Sequence, residues 1–251
     1  MTSVTEVEQW LAALEERHLA NLTRSELTRA LRALSSCYVE RRARLAQGAA
    51  LEGAGKRAAF ALFYGPLHFL TVTHILRRLE AQDRPLRAIA DLGCGTGAAG
   101  AAWAVACSAR PSIAGTDRSA WAVQEANWTY RHFGLRGRAA AGDITRTPLR
   151  ADRRTGVLLA YTVNELPPDG RTHLLERVID CVRHGAALLI VEPIARRGAD
   201  WSDEWGNRLM SEGCRADEWR FAAPLPPLLR SIANGAGLDP RELTARTIAK
   251  M

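Results

Sequence analysis

The hydrophobic and polar positions of the first eighty residues follow the period of an α-helix. Apolar residues recur at steps of three and four in two sets, each spaced like one face of a helix. The first set consists of Val4, Val7, Trp10, Leu11 and Leu14. The second set consists of Leu27, Leu31, Leu34 and Tyr38. Thr23 and Glu26 have the spacing of a capping box, so the second helix should begin beside them.

Two further helices are predicted before residue 82. A third helix starts at Lys56 and should break at Gly65-Pro66, because proline cannot continue a helix interior. A fourth helix runs from Leu67 to about Glu80. A flexible joint between the second and third helices is predicted from three glycines, Gly48, Gly53 and Gly55. We therefore predict a helical N-terminal cap over residues 1–82 that helps to enclose an active site.

From Arg87 onward, short apolar runs alternate with helical segments. The predicted strands are Ala88 to Leu92, Ser112 to Thr116, Arg138 to Ala141, Val157 to Tyr161 and Ala187 to Val191. The predicted helices between them are Ala98 to Ala109, Ser119 to Phe133 and Asp169 to Arg183. This alternation is typical of βαβ units. It predicts an α/β fold over residues 83–251, with a Rossmann-like, mostly parallel sheet that has helices on both faces.

The carboxyl-terminal part of the sheet is open to two interpretations. A sixth strand within Leu238 to Ile248 should follow a helix around Leu228 to Ala233, and little sequence remains for a seventh. Either the sheet is abbreviated, or the segment Trp219 to Ala222 supplies a strand.

Composition argues for a globular protein of the cell interior. The chain has 251 residues, of which 47% are hydrophobic and 24% charged. No uninterrupted apolar run approaches the roughly 18 residues that span a membrane; Ala186 to Val191 has the size of a strand, and Glu6 and Glu8 stand where a signal peptide would be apolar. The five cysteines are scattered without a C-x-x-C pair: Cys37, Cys94, Cys107, Cys181 and Cys214. We expect buried free thiols, a cytoplasmic location and no membrane partner.

The net charge of +7 is carried almost entirely by arginine, since Lys56 and Lys250 are the only lysines. A basic surface attracts polyanions such as RNA. An excess of arginine over lysine is also typical of a GC-rich genome, so charge alone leaves both explanations open.

A glycine-rich loop from Asp91 to Gly97 follows the first strand and opens an alanine-rich helix. Glycines allow a sharp turn and a close approach to a ligand, and the helix N-terminus presents free N–H groups. The stretch Gly95 to Gly100 also satisfies the dinucleotide fingerprint G-x-G-x-x-G. Against that ligand, a carboxylate at Asp91 would oppose a pyrophosphate but suit an ammonium group. Asp117 and Asp143 end the next two strands, at intervals of 26 residues each.

With these acidic residues, the loop Asp-Leu-Gly-Cys-Gly-Thr-Gly resembles that of the class I S-adenosylmethionine-dependent methyltransferases. The resemblance implies that Gly93, Gly95 and Gly97 line the methionine moiety, and that Asp91 faces its amino group. It also implies that Asp117 accepts from both ribose hydroxyls and that Asp143 accepts from the adenine amine, with Ile144 packed on the ring. The predicted cofactor-binding set is completed by Cys94, Arg118 and Tyr161.

A narrower resemblance rests on further segments in the expected order. They are Leu34 to Tyr38, Ala59 to Leu70, Ala160 to Pro167 and Val191 to Pro193. This set is similar to the ribosomal small-subunit methyltransferase-like family of bacteria and mitochondria. Many members carry cysteines that bind an iron–sulfur cluster, whereas Cys214 stands alone here.

Methyl transfer needs an aligned and desolvated acceptor, and it needs a base only if the acceptor must lose a proton. The end of the fourth strand supplies the predicted catalytic residues Tyr161, Asn164 and Glu165. Asn164 would hydrogen-bond the acceptor and Glu165 would accept its proton, although Glu165 could equally be structural. His68 is a second candidate base. No set of residues has metal-ligand spacing, so no metal is predicted.

Three functions remain open at this point. The favoured one is an RNA methyltransferase acting on ribosomal RNA, with RNA or a ribosomal particle as partner. The second is a small-molecule methyltransferase with an enclosed pocket. The third is a ribosome assembly factor that binds S-adenosylmethionine without turnover. The acceptor atom and the oligomeric state are not predicted.

Overall fold

The computed structural model of the chain describes residues 4–40, 51–149, 151–194, 200–238 and 241–251. The side chains of residues 4, 37–40 and 200 lie outside this description. The sequence has two basic stretches, Arg41 to Arg44 and Arg196-Arg197, which lie outside the described residues, as does Gly48.

The N-terminal region is helical, as predicted. Its helices are α1 (Val4–Leu19), α2 (Arg24–Glu40), α3 (Ala54–Ala59) and α4 (Gly65–Arg78), with a π-helix (Phe60–Tyr64) between the last two and a short 3₁₀-helix (Ala81–Asp83) after them. The predicted stripes face the interior: Trp10, Leu14, Leu27, Leu31 and Leu34 are all buried. Helix α2 packs against α3.

The predicted capping box at the start of α2 is present. The backbone N–H and the hydroxyl of Thr23 both donate to Glu26 Oε2 at 2.8 Å, and the Glu26 N–H donates to Thr23 Oγ1 at 3.2 Å. These hydrogen bonds satisfy N–H groups that have no partner within the helix.

The prediction that the third helix breaks at Gly65-Pro66 was wrong. The chain stays helical through this point, and Gly65 has helical torsion angles (φ −53°, ψ −55°). The preceding turn widens instead to a π-helix, in which the Gly65 N–H donates to the carbonyl of Phe60, five residues back. Pro66 has no N–H to donate, and this local change of hydrogen bonding accommodates it without a break in the helix.

The continuous helix over Ala54–Arg78 is long and apolar enough to cross a membrane by length and composition, and most of its apolar window is buried within the protein. A buried core helix passes the same test. The segment contains no uninterrupted apolar run of that length, because Gly65, Pro66 and His68 interrupt it without adding a formal charge.

Seven strands form one sheet in the order β3-β2-β1-β4-β5-β7-β6. They are β1 (Ala88–Leu92), β2 (Ser112–Asp117), β3 (Gly137–Ala141), β4 (Thr155–Ala160), β5 (Ala187–Glu192), β6 (Arg215–Ala222) and β7 (Glu242–Lys250). The first five strands pair in parallel, and β7 pairs antiparallel with β5, with Glu192 opposite Arg246. The predicted α/β Rossmann-like class is confirmed.

The sheet is complete rather than abbreviated. The segment Trp219 to Ala222 does belong to a strand, β6, and the predicted sixth strand is β7. The Trp219 indole N–H donates to Thr247 Oγ1 at 2.8 Å across this part of the sheet.

Five α-helices follow β1 in the described part of the chain, besides a 3₁₀-helix (Val163–Glu165). They are α5 (Ala98–Ala106), α6 (Ala120–His132), α7 (Pro168–Arg183), α8 (Asp200–Ser211) and α9 (Pro227–Ala236). Every residue of β4 and β5 is buried, as expected for central strands covered on both faces. Parallel pairing brings the carboxyl ends of β1 to β5 to one edge, and the strand order reverses between β1 and β4. Ligands of such folds bind at this switch point.

By their contacts, the residues fall into two compact units. One contains Phe69–Trp219 and Thr244–Met251, and the other contains Thr2–His68 and Arg220–Leu243. In the second unit, α2 also packs against α9. The division into domains at residues 82 and 83 stays a prediction.

Four of the five cysteines are described at the side-chain level, and each is a buried free thiol: Cys94, Cys107, Cys181 and Cys214. This is what their scattered spacing predicts. The side chain of Cys37 lies outside the described residues.

Replacing Thr23 by alanine should lower the free energy of unfolding by about 1 kcal/mol, because the cap of α2 loses its hydroxyl. Urea denaturation followed by circular dichroism measures this change. Thr23→Ser keeps the hydroxyl and should stay close to the wild type. Equal losses in both variants would contradict a role for the cap.

Candidate active site at the carboxyl edge of the sheet

The glycine loop after β1 depends on left-handed backbone conformations. Gly93, Gly95 and Gly97 have φ values of 74°, 51° and 75°. A Cβ on Gly93 would meet the Thr162 side chain at 2.4 Å, and a Cβ on Gly97 would meet the Tyr130 ring at 2.8 Å. Protein side chains therefore fill the space beside these two glycines, so a larger residue would not fit there. The sequence alone gave no sign of this second requirement for glycine. The N–H groups of Gly93 and Cys94 donate to the Thr116 carbonyl, at 2.8 and 3.0 Å, and so hold the loop against the end of β2.

Asp91 lies beneath this loop and is only 1% exposed. Its Oδ2 accepts from the Tyr130 hydroxyl at 3.5 Å and from the Gly100 N–H. Its Oδ1 is buried and has no hydrogen-bond partner among the described residues. Burial, with a smaller contribution from the charge of Asp117, raises the pKa of Asp91 to about 7. A cation placed at Oδ1 would therefore be held strongly.

Cys94 belongs to the glycine loop, and its side chain is buried. A Cβ on Gly115 would lie 3.0 Å from the Cys94 sulfur and 2.9 Å from the Tyr130 hydroxyl oxygen. The sulfur and this hydroxyl are therefore near each other. Burial and the nearby Asp91 and Asp117 carboxylates raise the pKa of the Cys94 thiol well above its ordinary value. The side chain is therefore an inert thiol at neutral pH rather than a nucleophile.

Asp117 ends β2 and is held by two backbone amides. The Gly95 N–H donates to Oδ2 at 2.9 Å and the Ser119 N–H donates to Oδ1 at 2.8 Å. Each carboxylate oxygen has further acceptor capacity. The two oxygens are therefore fixed in position at the loop and can still accept from a ligand.

Asp143 follows β3 and is exposed. Its Oδ1 accepts from the Thr145 N–H at 2.9 Å and from the Thr145 hydroxyl at 2.7 Å, and these bonds lower the pKa of Asp143. Ile144, next to it, is 6% exposed and belongs to a hydrophobic core cluster. The guanidinium of Arg177 donates to the carbonyls of Ile144, Thr145 and Thr147, so this loop is anchored to α7.

Tyr161 begins the segment after β4 with a positive φ of 59°. Non-glycine residues rarely adopt this conformation, and it occurs often at functional sites. The Tyr161 N–H donates to the Val191 carbonyl at 2.7 Å. Burial raises the pKa of its hydroxyl, which hydrogen-bonds with Thr71. The side chain is therefore a neutral group at physiological pH.

Asn164 is held inside the protein by a network that the sequence analysis missed. Its Nδ2 donates to Glu192 Oε2 at 2.6 Å, and its Oδ1 accepts from the Trp201 indole N–H at 2.9 Å. Glu192 Oε1 accepts from the Val163 N–H at 2.7 Å. Glu192 is 1% exposed, and burial raises its pKa to about 7. The signal in the sequence was a carboxylate ending a fully apolar strand, since such a residue needs buried partners.

Glu165 lies beside Arg118, with 3.7 Å between Oε2 and Nη2. Burial raises the pKa of Glu165 to about 7; the charge of Arg118 lowers it, and those of Glu192 and Asp117 raise it. The structure thus brings Glu165, Arg118 and Asp117 into one electrostatic group. A carboxyl group with this pKa can accept a proton near neutral pH.

The other candidate base, His68, is packed between aromatic rings. The ring centroids of Phe60 and Tyr64 lie 6.1 and 6.3 Å from that of His68. Burial lowers the pKa of His68 to about 3, so its ring is neutral and weakly basic. The rings of Trp201 and Trp205 form a T-shaped pair within the core, with 5.3 Å between their centroids. Within the described ranges, no group of three His, Cys, Asp or Glu side chains could hold a metal ion.

Asp91→Asn should flatten the pH dependence of stability. The pKa of Asp91 is about 7 in the folded protein, against an ordinary value of 3.8, so the folded state holds the extra proton between these values. Stability is then lost as the pH rises through this window, by up to about 1.4 kcal/mol per pH unit for this group. Urea denaturation from pH 4 to 8 measures the slope. The exposed Asp83, changed to asparagine, is the matched control and should keep it; an unchanged slope in Asp91→Asn would contradict the assignment.

The chain shares sequence and fold features with known methyltransferases. Residues 89–185 match the sequence model of a family described as "Methyltransferase domain". No curated protein sequence matches the chain. Among solved structures, a putative O-methyltransferase from Nostoc punctiforme aligns with a TM-score of 0.54 at 15% identity, over 88% of this chain and 72% of its own. The mitomycin 7-O-methyltransferase MmcR aligns with a TM-score of 0.53 at 15% identity, over 95% of this chain and 71% of its own.

The two structural neighbours support the fold alone, and the family match covers the strands and loops that carry the glycine loop, Asp117 and Asp143. The orphaned carboxylate oxygen of Asp91 suits a cationic group, and the two fixed oxygens of Asp117 suit hydrogen-bond donors. Residues 89–185 therefore form a methyltransferase domain, and the chain is an S-adenosylmethionine-dependent methyltransferase.

Proposed function

We propose that this enzyme methylates RNA, with ribosomal RNA favoured, in the cytoplasm, and that it is related to the ribosomal small-subunit methyltransferase-like family. The observation that carries the proposal is the arginine charge at the carboxyl edge of the sheet, in a protein with a net charge of +7. The motifs after β4 and β5 support the narrower family. The buried free thiols suit a reducing compartment.

The cofactor end of the site is assigned to residues from three strand ends. When bound, S-adenosylmethionine supplies an electrophilic methyl group to a nucleophilic atom of the acceptor. Asp91 Oδ1 would hold the ammonium group, and the two fixed oxygens of Asp117 would accept from the ribose hydroxyls. Asp143 and Ile144 would hold the adenine, while Gly93, Cys94, Gly95 and Gly97 would line the methionine end. Arg118 and Tyr161 would border this pocket.

The acceptor end is assigned to the segment after β4. Glu165 accepts the proton that an amine or hydroxyl acceptor must lose, and the nearby Arg118 stabilises the carboxylate form. Tyr161 positions the acceptor with its neutral hydroxyl. The side-chain amide of Asn164 already forms hydrogen bonds with Glu192 and Trp201, which leaves it little capacity to bind the acceptor. Its main contribution is therefore to fix the position of the segment after β4.

Three arginines at this edge, two in loops and one at the start of a helix, favour a polyanionic substrate. Arg118 follows β2 with its side chain 51% exposed, and Arg146 follows β3 with its side chain 87% exposed. Arg171, at the start of α7, donates to the Val163 and Asn164 carbonyls and brings a third positive charge to the segment after β4. Such charges attract RNA phosphates at a range set by the ionic strength.

Asp117→Ala should weaken S-adenosylmethionine binding by about 100-fold, because two hydrogen bonds to a charged acceptor are lost. Isothermal titration calorimetry measures the dissociation constant. Asp180→Ala removes an exposed carboxylate on α7 and should bind like the wild type. Wild-type affinity in Asp117→Ala, with its fold intact by circular dichroism, would contradict the assignment.

Glu165→Gln should lower kcat by about 10²-fold or more and remove the acidic limb of the pH–rate profile. The folded-state pKa is about 7, so Glu165 is an active base only above this pH, and the wild-type rate should rise up to it and then level off. Transfer of a labelled methyl group to ribosomal RNA measures the rate. A variant with the wild-type profile would show that Glu165 is structural.

A second candidate is methylation of a small polar molecule, which one cavity favours. This cavity of about 250 Å³ is bordered by β5, α8, β6 and β7 and is lined by Glu192, Trp201 and Arg246, among others. Arg246 donates to Ser202 at 2.6 Å, while its buried Nε has no hydrogen-bond partner among the described residues. Methyl transfer to small acceptors but not to RNA would favour this function over RNA methylation.

A further inference from the structure

We infer that a groove between α2 and α9, in the second compact unit, binds the phosphate backbone of the RNA substrate. The inference rests on the proposed RNA methylation and adds to it a binding surface made of residues outside the candidate active site. The groove has a volume of about 590 Å³. Its described lining consists of Arg24, Ser25, Thr28, Arg29, Arg32, Ser231 and Gly235.

The chemistry of this lining suits phosphate. Three guanidinium groups and three hydroxyls line the groove, and no carboxylate or apolar side chain is among its described lining residues. Guanidinium groups form paired hydrogen bonds with phosphate oxygens, and hydroxyls add further donors. The cavity at β5 and β7 differs in kind, since four carboxylates line it: Glu192, Asp203, Asp217 and Glu218.

The order of residues along α2 produces this surface. Arg24, Thr28 and Arg32 follow each other at intervals of four residues, so they lie along one side of the helix. The residues that α2 buries, Leu27 and Leu31 among them, leave the arginines at the surface. The capping box at Thr23 fixes the helix start one residue before Arg24. The groove is thus defined by a regular element rather than by a loop.

Two of the guanidinium groups are already oriented by the protein. Arg32 Nη2 donates to the Gly235 carbonyl at 2.6 Å, and Arg32 Nε donates to the Ala236 carbonyl at 3.2 Å. Both acceptors are neutral carbonyls at the end of α9, so these bonds orient the group without cancelling its charge. Arg24 Nη1 donates to Ser231 Oγ at 3.3 Å, and its Nη2 forms an ion pair with Glu15 at 2.7 Å. Preorganisation of this kind lowers the entropy lost on binding.

The floor of the groove is formed by small residues. A Cβ on Gly235 would lie 3.1 Å from Thr28 Oγ1, so α2 and α9 approach closely at this point. The longer arginine side chains rise on either side of this contact. A chain of phosphates, which carries one charge per nucleotide, matches a row of cations better than a single small anion does.

The test measures RNA binding and methylation separately. Binding of a fluorescein-labelled single-stranded RNA is followed by fluorescence anisotropy over a salt series, with the double variant Arg29→Gln/Arg32→Gln. Arg230→Gln, on an exposed arginine of α9 that does not line the groove, is the matched control. Arg29→Lys keeps the charge, and thermal melting checks that each variant is folded.

We expect the double variant to bind RNA about 10-fold or more weakly, with a smaller salt slope, while Arg230→Gln stays near the wild type. Arg29→Lys should keep most of the affinity. In the methylation assay, KM for RNA should rise in the double variant and kcat at saturating RNA should stay unchanged, because the groove holds the backbone and not the reacting base.

Three results would overturn the inference. They are wild-type RNA affinity in the folded double variant, a loss equal to that of Arg230→Gln, and binding of inorganic phosphate or anionic lipid vesicles in place of RNA. In each case, continued RNA methylation by the wild type would leave the proposed function standing. If the wild type methylates only small acceptors, the proposed function itself fails.

Discussion

The site depends on one buried carboxyl group. Asp91 lies under the glycine loop, where Tyr130 and Gly100 hold one of its oxygens and the other has no partner among the described residues. A carboxylate so placed is costly to ionise unless a cation approaches it. The same group thus makes the loop sensitive to pH, and in the proposed function the ammonium group of the cofactor would supply that cation.

The sheet edge and its chemistry could be predicted from the sequence to a large extent. All five predicted strands and the three helices between them are present. The buried strands β4 and β5 are short apolar runs, α6 and α7 are amphipathic, and α5 is a buried alanine-rich helix. Three acidic residues at equal intervals marked the strand ends correctly. Their roles toward the cofactor stay predictions, since spacing fixes where residues lie and not what they bind.

The features that sequence reasoning missed arise from contacts distant in the chain. The π-helix before Gly65 follows from how the chain accommodates Pro66 in three dimensions, which no local propensity describes. The glycines of the loop make room for Thr162 and Tyr130, which lie far along the sequence. Asn164 was assigned to the acceptor because its partner Glu192 is 28 residues away. Buried polar pairs of this kind have no periodic signal.

The order of strands also has a consequence for how the sheet assembles. Strand β7 is made after β6, yet it lies between β5 and β6. During synthesis β6 therefore emerges before the neighbour that joins it to the rest of the sheet, and its backbone groups stay without strand partners until β7 inserts. Pairing over such separations is slow, since chain entropy is lost before the contacts form. Until β7 pairs with it, β6 is therefore an unpaired strand on the nascent chain and is exposed to aggregation.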